Sequence, residues 1–164
     1  MKKLLIASFA AVVSTAVWAH GTEQHGQMQS GTSHQMMAEQ HPWGMMGSPD
    51  AIDRDIQISM ADNMRFTPEQ ITVKLNETIR FVVDNDGKVL HEFVIGTPDE
   101  LQKHAALMKK FPNMAHDEPY MAHVDPSKRG EVIWTFNQPG EFEFACLLPG
   151  HFEAGMIGRI VVQP

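Results

Sequence analysis

Residues 142–162 read Phe-Glu-Phe-Ala-Cys-Leu-Leu-Pro-Gly-His-Phe-Glu-Ala-Gly-Met-Ile-Gly-Arg-Ile-Val-Val. Two strand-like runs flank a short loop that carries Cys146, His151 and Met156 in a C-x4-H-x4-M spacing. Alternation from Glu141 to Ala145 puts Cys146 at a strand end. Pro149-Gly150 turns the chain, which returns His151 towards the cysteine, and Gly155 leaves room for backbone beside Met156. From Ile157 to Val162 the chain resumes an apolar strand. A thiolate, an imidazole and a thioether on one loop form a soft donor set that suits copper. An electron-transfer copper site takes two His and one Cys in a plane, with a long axial Met. The second imidazole is available from His91, in Val-Leu-His-Glu-Phe-Val. Each residue alone reads more simply as core, since an isolated cysteine is usually a small buried hydrophobe. The combination favours metal, and Met argues against zinc, whose protein ligands are Cys, His and carboxylates.

Outward from this loop the pattern is β. Ile56–Met60, Ile71–Leu75, Ile79–Val83, His91–Ile95, Val132–Phe136 and Phe142–Phe144 alternate or run apolar over strand lengths. Asn85-Asp86-Gly87 and Gln138-Pro139-Gly140 supply turns. Seven or so short strands read as a sandwich, with Trp134 and the phenylalanines as core. One helix interrupts them. Thr97-Pro98-Asp99-Glu100 is a capping box with proline at the first helical position. The helix is expected to end near Lys110, before Pro112, with His104 on its surface.

The stretch from Phe144 to Val162, with His91 upstream, resembles the ligand loop of the cupredoxins, the blue-copper family of plastocyanin and azurin. Its four-and-four spacing is similar to that of rusticyanin and auracyanin. The resemblance covers about residues 51–164 and implies an all-β, Greek-key cupredoxin sandwich with one inserted helix. It also implies His91, Cys146 and His151 as equatorial copper ligands and Met156 as the axial one. In azurin and plastocyanin an Asn follows the first His and ties the two ligand loops together. Here that position is Glu92, so the reduction potential and colour do not carry over. A His-Glu pair in a Met- and His-rich chain looks more like the periplasmic copper-resistance cupredoxins.

The N-terminus begins Met-Lys-Lys, runs apolar from Leu4 to Val17 and offers Val17-Trp18-Ala19 as a cleavage site. This reads as a signal peptide over residues 1–19, too short for a comfortable membrane span. The expected mature chain is periplasmic, with no stable membrane insertion. Residues 20–50 are rich in His, Met, Gln, Gly and Ser, with no helix or strand period. They read as a disordered tail preceding a cupredoxin domain over 51–164. Within it His20, His25, Met28, His34, Met36, Met37, His41, Met45 and Met46 are candidate copper ligands, since thioether suits Cu(I) and imidazole either oxidation state. After the helix, Met114-Ala-His116 and Met121-Ala-His123 give a candidate second copper site.

The net charge of −7 argues against nucleic acid and anionic membrane as partners and leaves open a basic protein or a cationic metal. A single cysteine excludes an internal disulfide. No phosphate loop or Ser/His/Asp array stands out. An enzyme with an open copper site, oxidising cuprous ion, is a further reading, against which a fourth ligand at Met156 argues. The expected cofactor is one copper in the main site, with more in the tail and insertion. Two functions follow: copper tolerance through binding and redox handling of copper, or an electron shuttle between respiratory partners. His151, among Leu147, Leu148, Pro149 and Phe152, marks the expected docking face for a redox or copper-accepting protein.

Overall fold

The computed structural model describes residues 39–112 and 116–164. In chain order the elements are β1 (Gln40–His41), β2 (Gly44–Met46), β3 (Arg54–Ala61), β4 (Arg65–Thr67), β5 (Gln70–Lys74) and β6 (Glu77–Asn85). They continue with β7 (His91–Gly96), α1 (Pro98–Lys110), β8 (Met121–Val124), β9 (Arg129–Phe136), β10 (Gly140–Ala145) and β11 (Ile157–Gln163). One sheet has the order β1-β2-β9-β6-β3-β4 and the other β5-β11-β10-β7-β8. Pairs β3–β6 and β5–β11 are parallel, and the remaining pairs are antiparallel.

Alternation decides which side chains meet between the sheets. From β6 come Ile79, Phe81 and Val83, and from β9 Val132, Trp134 and Phe136, all buried. The second sheet answers with Phe93, Ile95, Phe142, Phe144, Ile160 and Val162. Phe66 and Phe144 meet edge-on with ring centroids 5.0 Å apart, and Phe81 and Phe93 lie 5.2 Å apart. Burying each such ring stabilises the fold by about 2–3 kcal/mol. Gly158 is required here, because a Cβ at that position would stand 2.1 Å from the Phe144 ring.

All six residues of β7 are buried, which a sheet facing water on one side would not allow. The cover on its outer face is α1, whose Leu101, Ala105 and Met108 pack with Val94, Met121, Ala145 and Leu147. Helix α1 starts and stops as its sequence dictates. The Thr97 hydroxyl accepts the Glu100 N–H at 3.3 Å, Pro98 opens the first turn, and Lys109 and Lys110 close the last.

Three features differ from the sequence reading. Residues 40–50 are not a tail: β1 and β2 extend the first sheet through Met45↔Thr135 and Met46↔Trp134, and a 3-10 turn over Pro49–Ala51 follows. Trp43 is buried, and its carbonyl accepts the Trp134 indole N–H at 3.0 Å. Periodicity could not reveal strands of two and three residues. The short strands β4 and β8 escaped for the same reason. Finally, His104 is half-buried instead of lying free on the surface of α1.

Candidate metal centre

His91 opens β7, Cys146 follows the last residue of β10, and Met156 precedes β11. The loop between Cys146 and Met156 is closed at its base. Ala145 pairs with Ile157, and the Cys146 N–H donates to the Met156 carbonyl at 3.1 Å. Across it the Met156 N–H donates to the His151 carbonyl, also at 3.1 Å. Gly150 and Gly155 adopt φ of +91° and +83°, which side-chain-bearing residues rarely do. These bonds turn the donors at 146, 151 and 156 to one end of the sandwich.

There the ligand atoms of His91, Cys146 and His151 all lie within 4.8 Å of one another. The Cys146 sulfur is 3.3 Å from Nδ1 of His151, and the two imidazole rings have centroids 4.9 Å apart. Cys146, His91 and Met156 are fully buried, whereas His151 is partly exposed. Nδ1 of His91 is buried with no hydrogen-bond partner, a costly state for a polar atom unless something binds there.

Burial pushes the Cys146 thiol up to about 12, against the opposing effect of the Glu92 and Leu148 N–H groups. The Glu92 N–H reaches the sulfur at 3.3 Å. A thiol in this position keeps its proton in water, and a metal cation supplies the charge that lets it leave. Burial and the neighbouring His91 hold His151 below the usual imidazole range, which favours the neutral, ligating form. An orphaned imidazole nitrogen, a thiol with amide donors around its sulfur and a second neutral imidazole fit a copper ion.

Residues that sequence reasoning missed hold this set in place. Asp62, just after β3, accepts the Lys88 N–H at 2.9 and 3.0 Å through its two oxygens, and its Oδ1 lies 3.3 Å from Nε2 of His91. The carboxylate occupies one ring nitrogen of His91 and leaves the other facing the cluster. The Lys88 amide, with His91 assisting, keeps Asp62 below the usual carboxylate range. Buried Asn85 steadies the same turn by donating to the carbonyls of Val89 and Val124 at 2.8 and 2.7 Å. On the other side Arg65 donates to the carbonyls of Ala154 and Gly155, just before Met156. Asp62 and Arg65 are far from the ligands in sequence and carry no local motif, whereas Asn85 is legible only as part of the Asn85-Asp86-Gly87 turn.

The other sequence candidates fare differently. His116 and His123 come together, with ring centroids 5.3 Å apart, and His104 joins them. Met121 packs in the apolar cluster under α1. Met114 lies outside the described residues, as do His20, His25, Met28, His34, Met36 and Met37. His41 packs between Trp43 and Tyr120, with centroids at 4.7 and 5.0 Å. The Met45 sulfur accepts the Asn137 side-chain N–H at 3.3 Å, and Met46 is exposed. Leu147, expected on the docking face, is buried under α1, while Leu148 and Phe152 are half-buried. Pro149 is exposed as expected, and further exposed apolar surface comes from Val89 and Leu90, immediately before His91.

Comparison with known proteins agrees with this geometry. The chain is 43% identical over 154 residues to the copper-resistant cuproprotein CopI of Rubrivivax gelatinosus, covering 94% of this chain and 92% of that protein. It is 35% identical to the CopI of Vibrio cholerae, covering 97% of both chains. Among solved structures, auracyanin B superposes with a TM-score of 0.63 at 20% identity, covering 74% of this chain and 96% of that one. That likeness supports the fold. The model of the copper binding proteins, plastocyanin/azurin family, matches residues 53–163. With the sandwich, the closed ligand loop and this match over most of its length, the chain belongs to the plastocyanin/azurin family of copper-binding proteins.

Proposed function

We propose that this protein serves copper tolerance in the periplasm by binding and redox-handling copper at one mononuclear site. In this reading His91, Cys146 and His151 hold the ion, with Met156 as the fourth, weaker ligand. The observation that carries it is the meeting of three ligand atoms within 4.8 Å, one of them a buried imidazole nitrogen with no other partner. The near full-length relatives named copper-resistant cuproproteins support the tolerance role. Copper held there supplies one-electron chemistry. The protein's part is to keep the donors fixed between the preferences of the two oxidation states, so that little rearranges when an electron moves.

His151 is the partly exposed member of the set, and the exposed Val89 and Leu90 immediately precede its ring neighbour His91. In this reading a redox or copper-accepting periplasmic protein approaches over that edge. No helix among the described residues is long and apolar enough to cross a membrane.

The test is growth of a deletion strain across a copper gradient, complemented with wild type or with Cys146→Ser. Copper sensitivity rescued by wild type alone is the expected result. Rescue by both would move the tolerance role away from this site. Normal growth of the deletion strain would favour the electron shuttle.

A further inference from the structure

Residue 92 points away from the metal centre that residue 91 enters. On the outer face of the second sheet Glu92 stands directly across from His123, because β7 and β8 pair Glu92↔His123. Its side chain is only 1% exposed. Neither carboxylate oxygen has a hydrogen bond of good geometry. The nearest polar groups are the Leu147 amide and His123, whose Nε2 lies 3.0 Å from Oε1. Burying a carboxylate so poorly satisfied costs several kcal/mol unless a cation compensates it.

Three imidazoles line up beyond it. His123 meets His116 edge-on at 5.3 Å between centroids, and His116 meets His104 of α1 at 4.7 Å. Nε2 of His116 and Nε2 of His104 are 2.9 Å apart. Two nitrogens bound to one ion at roughly 2.0–2.1 Å stand about 3 Å from each other. The other nitrogen of His123 faces exposed Asp117 at 3.7 Å. Burial, then His116 and His123, hold His104 below the usual imidazole range, which keeps its lone pair available.

We infer that His104, His116, His123 and the buried Glu92 carboxylate form a second metal site, separate from the Cys146 centre, for a divalent ion of the Cu(II) class. The donors are nitrogen and carboxylate oxygen, with Met121 turned into the apolar cluster. This set suits Cu(II), which also leads the divalent affinity order, better than Cu(I). The donors form two close pairs, His104–His116 and Glu92–His123, joined by a ring contact. Closing them on one ion requires the His116 and His123 rings to turn towards each other, and rotamer changes at partly exposed side chains are fast. Helix α1 thereby has a use besides covering β7: it brings His104 to the site.

The test compares mature full-length wild type with His104→Ala/His116→Ala and, separately, with His123→Ala. Each is equilibrated with Cu(II) alone, then assayed for bound copper and by electron paramagnetic resonance. Wild type is expected to hold one more tightly bound Cu(II) than either variant. The matching nitrogen-coupled signal should be absent from both. The thiolate-to-copper absorption should be unchanged, and it reports independently on the Cys146 centre. Residues 20–38 are identical in all three proteins, so any copper bound there cancels in the comparison. Equal copper content and identical spectra would overturn the inference and leave the cluster a hydrogen-bonded group of histidines only.

Discussion

The ligand loop and the N-terminal hairpin carry similar side chains, and the fold uses them in opposite ways. The loop presents His151 and Met156 with Cys146, and the hairpin presents His41, Met45 and Met46. In the loop, backbone hydrogen bonds at both ends converge the side chains on His91. In the hairpin, His41 packs against Trp43 and Tyr120, and the Met45 sulfur takes an amide N–H. Donor-rich composition therefore does not make a site. A site appears where the scaffold leaves polar atoms unsatisfied and aims them at one point.

Substitutions can break or sharpen this contrast. The largest effect belongs to the loop. Cys146→Ser should abolish the intense visible charge-transfer absorption of the copper-loaded protein while circular dichroism still reports a β-sandwich. A retained band would dissolve the contrast. Next comes the hairpin, where Trp43→Ala should destabilise the domain by about 3–5 kcal/mol in denaturant unfolding and leave the absorption of the folded, loaded protein unchanged. Deleting residues 1–38 should spare stability, whereas deletion through residue 48 removes Trp43 and should not. Equal stability of the two truncations would return the hairpin to the status of a tail.

A smaller effect is expected at the support of the loop site. Asp62→Ala frees Nε2 of His91 and should weaken copper binding by about 10–100-fold, measured by competition with a copper chelator. The smallest effect is a control that contributes a side chain to neither stretch. Arg54, 2.6 Å from Glu77, holds that carboxylate below its usual range, with the Lys74 amide assisting against burial. A depressed carboxylate stabilises the fold above its unfolded pKa, and that contribution is lost as pH falls through the folded value. Glu77→Gln should therefore cost under about 1 kcal/mol at neutral pH, and the difference from wild type should vanish in acid. A difference that grew in acid would contradict the assignment.

Much of this was legible in the sequence because it is local. Alternation located β3, β5, β6, β7, β9, β10 and β11, and the capping box together with the Lys109-Lys110 and Pro112 stop located the two ends of α1. The C-x4-H-x4-M spacing located the loop because all three donors lie within eleven residues. What stayed hidden depends on pairing between distant segments. Asp62 and Arg65 serve the site from the turn after β3 and from β4, and nothing near them in sequence says so. Trp43 looked like part of a polar tail because its partner, Trp134, is 91 residues away. His104 looked superficial because the helix period places it beside the buried stripe but cannot show that His116 returns to meet it.

The closed base of the ligand loop has a consequence for how such a protein changes over generations. Ala145↔Ile157 and the Cys146–Met156 backbone bond seal the hairpin below the loop. What lies between them adds little to the pairing of β10 with β11. Closing a somewhat longer or shorter loop on that base alters the free energy only by fractions of a kcal/mol. Mutation can thus edit the spacing and identity of the donors without renegotiating the sandwich. The architecture separates an inherited frame from a rewritable insert, and selection can act on the chemistry one residue at a time.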